Sequence, residues 1–265
     1  MKTGVLYFVI CKPGRPVEKA IKTQYNLAVR SANSLKVHMP HLPTTLFTNL
    51  DLSDLDSDCF SNIVVTETPE DMWTYKYECL LKSPYEHTLH MDADTYVCAD
   101  FSEVFDLLDN FDLVAPLSPY YISLNLKEVP SCFPELAGGF MLWRKNKKTH
   151  DLLVRILELV QKQNRARRVA DEPYIRKALY ESNVRYAVIP WEYNCVCLLS
   201  GYLFSKVKIM HGRTDIVEDA KILNMSEKPR IYTGETLFLL RSCRRRRKFV
   251  EVDKAIHYGH YRGED

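Results

Sequence analysis

The sequence has little net charge and no long apolar run. Lys and Arg number 36 against 34 Asp and Glu, so the formal net charge is only +2. A near-neutral balance gives no general attraction to nucleic acid, and any binding that depends on charge has to be local. No apolar stretch approaches the roughly 20 residues that a membrane-spanning helix needs. We therefore expect neither a nucleic-acid partner nor a transmembrane segment.

The cysteines form no C-x-x-C motif of the kind that zinc knuckles and thioredoxin-like redox sites require. Several lie inside apolar runs, where a free cysteine behaves as a small buried hydrophobic residue. The eight are Cys11, Cys59, Cys79, Cys98, Cys132, Cys195, Cys197 and Cys243. Because disulfides are rare in reducing compartments, this scattered pattern predicts a cytoplasmic protein with reduced thiols.

The chain also lacks a Gly/Ser-rich linker and a repeat of fixed period. Its opening, MKTGVLYFVICKPGRP, has an apolar run but no small-x-small cleavage site, and Pro13 follows directly. This pattern predicts a first buried strand rather than a signal peptide. The one biased segment is RSCRRRRK at 241–248. We predict a single domain over residues 1–240 and a basic tail over 241–265.

Strand-like and helical segments alternate along the chain. In DMWTYKYECLLKS, for example, Trp73, Tyr77 and Leu80 share one helical face. The predicted strands cover 4–10, 44–49, 62–67, 87–91, 111–117, 138–144, 185–190 and 207–211, and the predicted helices begin at Val17 and cover 71–83, 102–109, 148–163 and 171–182. This order predicts an α/β fold with a mostly parallel central sheet and helices on both faces, in which ligands bind at the carboxyl ends of strands.

The segment HTLHMDADTYV, residues 87–97, places Asp92 and Asp94 directly after an apolar strand. Two carboxylates there can reach one hard divalent cation, and a metal with few protein ligands keeps open positions for phosphate oxygens. His211 ends the predicted strand VKIMH at the same sheet edge, and imidazole with carboxylates suits Mn²⁺ as well as Mg²⁺. An acidic turn and an ordinary surface histidine explain the same residues, so both interpretations stay open.

Five segments in one order carry a resemblance to a known family. They are MDADTYV, LAGGFMLWR, DEPYIRKAL, IPWEYNC and IMHGR. In this order the sequence resembles the nucleotide-sugar glycosyltransferases with a GT-A fold, in particular retaining enzymes such as glycogenin and the bacterial lipooligosaccharide galactosyltransferases. The likeness covers about residues 4–213 and implies a single GT-A type, Rossmann-like domain.

The resemblance implies an activity and a set of site residues. The enzyme would move a sugar from a nucleotide-diphosphate sugar, in particular a UDP-sugar, to a hydroxyl of a glycan, lipid or protein acceptor. Retention at the anomeric carbon is favoured over inversion. Asp92, Asp94 and His211 would hold Mn²⁺ or Mg²⁺. The donor-binding residues that the resemblance implies are Tyr7 on the first strand, Asp92, Ala93, Gly138 and Gly139.

Asp171 and Glu172 match the pair that flanks the donor sugar in the family, and the resemblance makes them the catalytic candidates. Ordinary helix-start chemistry also explains them, because Pro173 follows and acidic residues favour a first turn. The family usually has Asn before the glycine turn, where this chain has Ala137, and Gln where it has Glu172. Glu172 could act as a base in an inverting attack, or as a nucleophile or electrostatic stabiliser in a retaining one.

Further candidates come from their position near the expected site. Lys76, on the helix before the metal strand, and Arg213, after His211, could each contact a phosphate as a cation, although a solvated surface explains Lys76 nearly as well. The acceptor side would be built from loops, namely about 120–133 and the WEYNC segment. From the latter we predict acceptor contacts by Trp191, Tyr193 and Asn194.

Three other functions fit parts of the sequence. LHMDADTYV also resembles the motif of haloacid-dehalogenase phosphatases, with Asp92 as nucleophile, but that motif normally sits on the first strand and has Thr where this chain has Tyr96. A sugar nucleotidyltransferase would need a glycine-rich loop, and CKPGRPVEKA is poor in glycine. A catalytically inactive nucleotide-sugar-binding module is the third.

The basic tail predicts a peripheral contact with an anionic membrane through Arg244–Lys248. Each basic residue near such a surface contributes about 1 kcal/mol. A solvated tail is the simpler interpretation of the same residues.

Overall fold

A seven-stranded, mostly parallel β-sheet forms the centre of the computed structural model of the protein, which describes residues 2–118, 124, 126–163, 170–196, 199–212 and 215–232. The strands are β1 (Thr3–Val9), β2 (Thr44–Thr48), β3 (Asn62–Val65), β4 (His87–Met91), β5 (Thr95–Val97), β6 (Leu113–Pro116), β7 (Phe140–Arg144), β8 (Tyr186–Ile189), β9 (Cys195–Val196), β10 (Gly201–Leu203), β11 (Ile209–His211) and β12 (Arg230–Tyr232). The central order is β3-β2-β1-β4-β7-β6-β8, and only β7 runs antiparallel to its neighbours. The predicted α/β class is confirmed.

Helices cover both faces of this sheet. They are α1 (Val17–Ala20), α2 (Asn26–His38), α3 (Met72–Leu81), α4 (Lys147–Gln161), α5 (Glu172–Tyr180) and α6 (Ile216–Leu223), with a π-helical turn at Ile21–Tyr25 and 3₁₀ helices at Ser102–Asp109 and Trp191–Tyr193. Alternate residues of β1 point to opposite faces: Tyr7 packs in the core with α2, whereas Leu6 packs in the core with α3, α4 and α5.

Helix starts follow ordinary capping chemistry. The Asp71 side chain accepts a hydrogen bond from the backbone of Trp73 at the start of α3, and Asn146 forms a reciprocal capping pair with Thr149 at the start of α4. Lys76 and Tyr77 lie on the buried side of α3, where they contact Asp171. That placement matters for the site.

A second, three-stranded sheet has the order β5-β11-β9. It pairs β11 with β5, the strand that follows β4 in the chain. In it His211 pairs with Thr95, and the backbone N–H of Gly212 donates to the carbonyl of Asp94 at 2.8 Å. The short strands β5, β9, β10 and β12 and helix α6 have no counterpart among the predicted elements. The spacing of Ile216, Ala220 and Leu223 could have revealed α6, because these buried residues recur at helical intervals.

The other predicted elements agree with the structure to within a few residues at each end, with one interruption. The helix predicted from Val17 contains the π-helical turn, which periodicity alone does not reveal. Within the described ranges, no helix has both the length and the apolar character needed to cross a bilayer. The segment 241–265, which we predicted to be a basic tail, lies outside the described residues.

Candidate active site

An open cleft of about 890 Å³ lies at the carboxyl ends of β1 and β4. Its walls come from the loop after β1, the π-helical turn, α3, residues 92–94, the glycine pair 138–139 and the start of α5. This is the edge of the sheet where the sequence predicted ligand binding. The volume of the cleft lies in the range that is usual for small-molecule binding sites.

Three side chains at this edge can share one metal ion. Ligand atoms of Asp92, Asp94 and His211 all lie within 4.8 Å of one another. The His211 Nε2 atom is 3.3 Å from Oδ1 of Asp94 and 3.7 Å from Oδ2 of Asp92. Two carboxylates and one imidazole are a donor set that suits Mn²⁺ or Mg²⁺. The structure thus brings together the three residues that the sequence predicted as metal ligands.

Two further side chains orient this trio. The Nδ1–H of His211 donates to Oδ1 of Asn194 at 2.9 Å, which leaves Nε2 facing the aspartates. The Nε2–H of buried His90 donates to Oδ1 of Asp92 at 3.2 Å. Such outer contacts fix the tautomer and ring orientation of a ligating histidine and strengthen metal binding.

The glycine pair makes room for these groups. A Cβ on Gly139 would lie 2.6 Å from Oδ2 of Asp92 and 2.6 Å from Cε1 of His211, closer than real carbon atoms approach. A Cβ on Gly138 would lie 3.0 Å from Oδ1 of Asp171. Both glycines line the cleft. Because they have no Cβ, they leave space for the side chains of Asp92, His211 and Asp171.

The electrostatics favour a charged aspartate and a protonated histidine when no cation is bound. Burial opposes the charged form of Asp92, but the Lys76 ammonium and His90 outweigh it and hold the pKa of the carboxyl well below its ordinary value. Burial likewise opposes the charged form of His211, but its hydrogen bond with Asp94 and the charge of Asp92 raise its pKa. A divalent cation bound here would replace this proton.

Asp171 is the centre of a buried polar cluster. Its Oδ2 atom accepts from Lys76 Nζ at 3.0 Å and from the Tyr77 hydroxyl at 2.7 Å, and Lys76 also donates to the carbonyl of Gly138 at 3.3 Å. The side chains of Lys76 and Asp171 are 10% and 4% exposed. Burial opposes the charge on Lys76, but Asp171 and Asp92 outweigh it and raise its pKa. The interpretation of Lys76 as a solvated surface residue is therefore wrong. Its ammonium forms an ion pair with Asp171.

Glu172 lines the cleft beside this cluster. Burial and the neighbouring Asp171 charge raise the pKa of the Glu172 carboxyl to about 7. A carboxyl that titrates near neutrality is suited to general acid or base chemistry. The neighbouring Asp171 carboxylate, in contrast, accepts hydrogen bonds from Lys76 and Tyr77.

Tyr7 requires a correction. It is fully buried, its ring packs against Phe60, and its hydroxyl is hydrogen-bonded to Ser31 at 3.0 Å. A nucleotide sugar bound in the cleft cannot contact Tyr7. Successive residues of β1 point to opposite faces of the sheet, and Tyr7 points into the core. The residue of β1 that lines the cleft is Phe8, and Ala93 lines it as predicted.

Of the predicted acceptor residues Trp191, Tyr193 and Asn194, none lines the cleft, and Asn194 contacts His211. The hydroxyl of Tyr193 donates to Glu103 at 2.8 Å. Trp191 begins the 3₁₀ helix that ends at Tyr193, and Asn194 follows it directly. Arg213, residues 120–123 and residue 125 lie outside the described residues, so the predictions for them stay predictions.

Several cleft residues were not predicted from the sequence. They are Phe8, Lys12, Arg15, Thr23, Gln24, Leu27, Met72, Trp73 and Ala170. For Phe8 the alternation of β1 was available as a signal, since a residue next to a core-facing one faces the other side. For the others no local pattern exists, because they reach the cleft only through the packing of separate segments.

Comparison with solved structures identifies the fold. The chain matches the glycosyltransferase GlyE of Streptococcus pneumoniae TIGR4 at 15% identity and a TM-score of 0.54, over 89% of this chain and 60% of that one. It matches the galactosyltransferase LgtC, solved with donor and acceptor sugar analogues, at 14% identity and a TM-score of 0.55, over 85% of this chain and 96% of that one. Mouse xyloside xylosyltransferase 1 matches at 12% identity and a TM-score of 0.54, over 82% and 99% of the two chains.

These likenesses establish that the chain has the GT-A fold of glycosyltransferases. The fold is therefore that of the family which the sequence resembles, near the LgtC type. No family model matches the sequence, and no curated protein matches it either. The chain spans 60% of the length of GlyE but nearly all of LgtC and of the mouse enzyme.

Proposed function

We propose that this chain is a metal-dependent glycosyltransferase that moves a sugar from a nucleotide-diphosphate sugar to an acceptor hydroxyl. The observation that carries the proposal is the convergence of Asp92, Asp94 and His211 on the edge of a large cleft in a GT-A fold. A bound Mn²⁺ or Mg²⁺ ion would supply positive charge that neutralises the departing diphosphate. The residues of the chain would hold the ion and position the sugar of the donor.

The residues at the start of α5 would act on the sugar. Glu172 faces the cleft with a pKa near 7, so it can hold or accept a proton at neutral pH. Asp171 keeps Lys76 and Tyr77 in place beside Gly138, and we assign it a positioning part. In a retaining reaction Glu172 would act as a nucleophile or electrostatic stabiliser, and in an inverting reaction it would act as a base.

A UDP-sugar is the donor that we propose, and retention is the favoured outcome. Support for both comes from the resemblance of the five sequence segments. The fold shared with LgtC, a galactosyltransferase solved with donor and acceptor sugar analogues, agrees with a sugar donor. Phe8 and Trp73 give the cleft aromatic surface that a nucleobase can contact.

The test is the release of nucleoside diphosphate from UDP-, GDP- and dTDP-sugars with Mn²⁺, with Mg²⁺ and with EDTA. We expect slow hydrolysis of one donor that requires metal and is abolished by Asp94→Asn. Asp54→Asn is the matched control, because Asp54 belongs to the exposed DLDSD segment away from the cleft and should change nothing. Wild-type hydrolysis by Asp94→Asn would overturn the metal assignment.

The phosphatase alternative receives no support from the position of the aspartates. Its motif normally follows the first strand of the fold, whereas Asp92 follows β4 and three parallel strands precede it in the chain. Release of phosphate from a generic phosphomonoester, without hydrolysis of any donor, would revive it. An inactive binding module would instead bind a nucleotide sugar with no turnover.

We also propose a peripheral contact with an anionic membrane through Arg244–Lys248. The ribbon of β10 and β12 ends shortly before this segment and exposes apolar side chains, with Tyr202 38%, Phe204 64% and Ile231 48% exposed. Exposed apolar and aromatic groups favour binding to a membrane surface, and a cluster of basic residues in the sequence favours anionic lipid. The full chain should co-sediment with anionic liposomes at low salt, and replacement of Arg244–Lys248 by Ser should abolish this. Failure of the wild-type protein to co-sediment would refute it.

A further inference from the structure

Two cations of the cleft have no acidic partner among the residues that the structure describes. They are Lys12 and Arg15, which lie in the loop after β1 and line the cleft. Lys76 also lines the cleft, but its ammonium is neutralised by Oδ2 of Asp171 at 3.0 Å. Because the cation from α3 is already paired, the positive charge that can attract a bound anion comes from the loop after β1.

Hydrogen bonds hold this loop in one conformation. The Asn49 side chain accepts from the backbone N–H of Cys11 at 2.8 Å and donates to the Cys11 carbonyl at 3.0 Å. The backbone N–H of Arg15 donates to the carbonyl of Lys12 at 3.1 Å and closes a turn. Gly14 lies within this turn with a φ of 73°, a left-handed conformation that glycine adopts without steric cost. Lys12 and Arg15 therefore lie on a preformed turn.

The π-helical turn orients the guanidinium of Arg15. The Thr23 hydroxyl donates to the carbonyl of Lys19 at 2.7 Å and accepts from Nη2 of Arg15 at 3.3 Å. No other acceptor for the guanidinium lies among the described residues, so its remaining N–H groups can bind a ligand. A planar guanidinium can donate two parallel hydrogen bonds to a phosphate, and an ammonium binds phosphate as a point charge.

The metal trio leaves the charge of a bound diphosphate largely uncompensated. A divalent ion held by Asp92 and Asp94 is balanced by these two carboxylates, and His211 would bind it as the neutral imidazole. The ion can contact phosphate oxygens, but the ion and its ligands together carry no net charge. Each phosphate of a nucleotide sugar is negatively charged, and the terminal phosphate gains charge when the sugar leaves. Cations elsewhere in the cleft would have to balance this charge.

The loop after β1 lies on the nucleotide side of the cleft. It follows directly on the strand that contributes Phe8, and Phe8 and Trp73 form the aromatic surface to which we assign the nucleobase. A diphosphate joins the nucleoside to the sugar and would also contact the ion at Asp92. Lys12 and Arg15 share one cleft with all of these groups, so the diphosphate is the anion within their reach.

We propose that Lys12 and Arg15 bind the diphosphate of the donor and stabilise its charge as the sugar leaves. The inference rests on the proposed function. In the transfer, the bond between the anomeric carbon and the diphosphate oxygen breaks, and the oxygen keeps the electron pair. The acceptor hydroxyl forms the new bond to that carbon and releases a proton to water. Because negative charge grows on the diphosphate in this step, two cations beside it stabilise the transition state more than the bound donor.

The experiment is a series of calorimetric titrations of the full chain with Mn²⁺. UDP, GDP and dTDP are titrated first, and the diphosphate that binds is then compared with the monophosphate and the nucleoside of the same base. The cleft variant is Lys12→Ala with Arg15→Ala, and Lys12→Arg with Arg15→Lys keeps the charges. The matched control is Lys19→Ala with Lys22→Ala, because these exposed cations follow the loop closely in the chain but do not line the cleft. Thermal unfolding checks the fold of each variant.

We expect the cleft variant to bind the nucleoside diphosphate about tenfold more weakly or worse, since two charge-assisted contacts are lost. The loss should be smaller for the monophosphate and absent for the uncharged nucleoside. Added salt should weaken diphosphate binding more in the wild type than in the cleft variant. The control variant should match the wild type, the charge-conserving variant should keep most of the affinity, and Mn²⁺ binding without nucleotide should be unchanged in all of them.

Two results would overturn the assignment of Lys12 and Arg15. One is equal affinity of the wild type and the cleft variant for the nucleoside diphosphate. The other is an equal loss for the uncharged nucleoside, which would mean that the loop supports the nucleoside and not the diphosphate. If the wild type binds no nucleoside diphosphate with Mn²⁺, the proposed function fails instead. Inorganic pyrophosphate with Mg²⁺ is then titrated: binding that needs both cations would support a diphosphate site, and its absence would overturn this inference as well.

Discussion

Asn194 and His211 are joined by a 2.9 Å hydrogen bond, in which the histidine Nδ1–H donates to the amide oxygen. This contact fixes the tautomer that turns Nε2 of His211 toward Asp94, 3.3 Å away. Asn194, which we expected at the acceptor, therefore supports the proposed metal ligand His211. A hydrogen bond of this kind strengthens metal binding because it holds the imidazole ring in one orientation.

Asn194→Ala should weaken Mn²⁺ binding by about 10- to 100-fold, because the imidazole loses its orienting partner. Binding is measured by titration calorimetry, and thermal unfolding of the metal-free protein checks that the fold is kept. Asn183→Ala, at an exposed position, is the control and should bind Mn²⁺ normally. Unchanged affinity in Asn194→Ala would show that His211 does not need this hydrogen bond.

Gly139→Ala should reduce metal-dependent donor hydrolysis by roughly 100-fold, since misplacing site groups by about 1 Å can cost that much. The added Cβ would lie 2.6 Å from both Asp92 and His211, so one of them has to move. Gly138→Ala is the graded comparison, because its Cβ would meet Asp171 at the longer distance of 3.0 Å. The prediction is contradicted if the Gly139 variant retains full hydrolysis and Mn²⁺ affinity.

Lys76→Met should destabilise the protein by about 3–5 kcal/mol, because it leaves the buried Asp171 charge without its cation. Asp171→Asn in the same chain should restore part of this loss, since the uncompensated charge is then removed. Urea denaturation gives both free energies of unfolding. Lys82→Met, at the exposed end of α3, should cost little. Equal stability of the single and double variants would argue against a charged pair.

The raised pKa of Glu172 predicts how stability depends on pH. Its carboxyl has a pKa of about 7 in the folded protein but an ordinary pKa of 4.5 when unfolded, so the folded state retains the proton to higher pH. Its contribution is fully present below about 4.5 and is lost as the pH rises through about 7. Glu172→Gln should therefore gain stability relative to the wild type over this window, by roughly 1–2 kcal/mol, a value reduced for partial solvent contact.

This pH effect is measured by urea denaturation in EDTA at pH 4.5, 6 and 8. Glu67→Gln, on an exposed side chain in the loop after β3, is the control. Parallel pH profiles for wild type and Glu172→Gln would mean that the carboxyl is not held in its acid form by burial. If ionised Glu172 takes part in turnover, donor hydrolysis should rise through the same window.

The local pattern of residues predicted much of the fold. Strand β4 reads as an unbroken buried run that ends at Asp92, and the capping residue Asp71 marks the start of α3. Such features depend on near neighbours, so they survive in the sequence. The ends of the longer elements are predictable for the same reason. Strands of two or three residues, such as β9 and β10, are specified mainly by their partners and carry little local signal.

The sequence by itself determined the order of strands and helices and the placement of Asp92 and Asp94 at the end of a buried strand, because periodicity and apolar runs report local structure. Only the tertiary structure decided that Asn194 orients His211, that Lys76 is neutralised by Asp171, and that Tyr7 faces the core. It also decided that Lys12 and Arg15 share a cleft with Asp92 and Asp94. These relationships join residues far apart in the chain, and long-range packing creates them without leaving a periodic trace in the sequence.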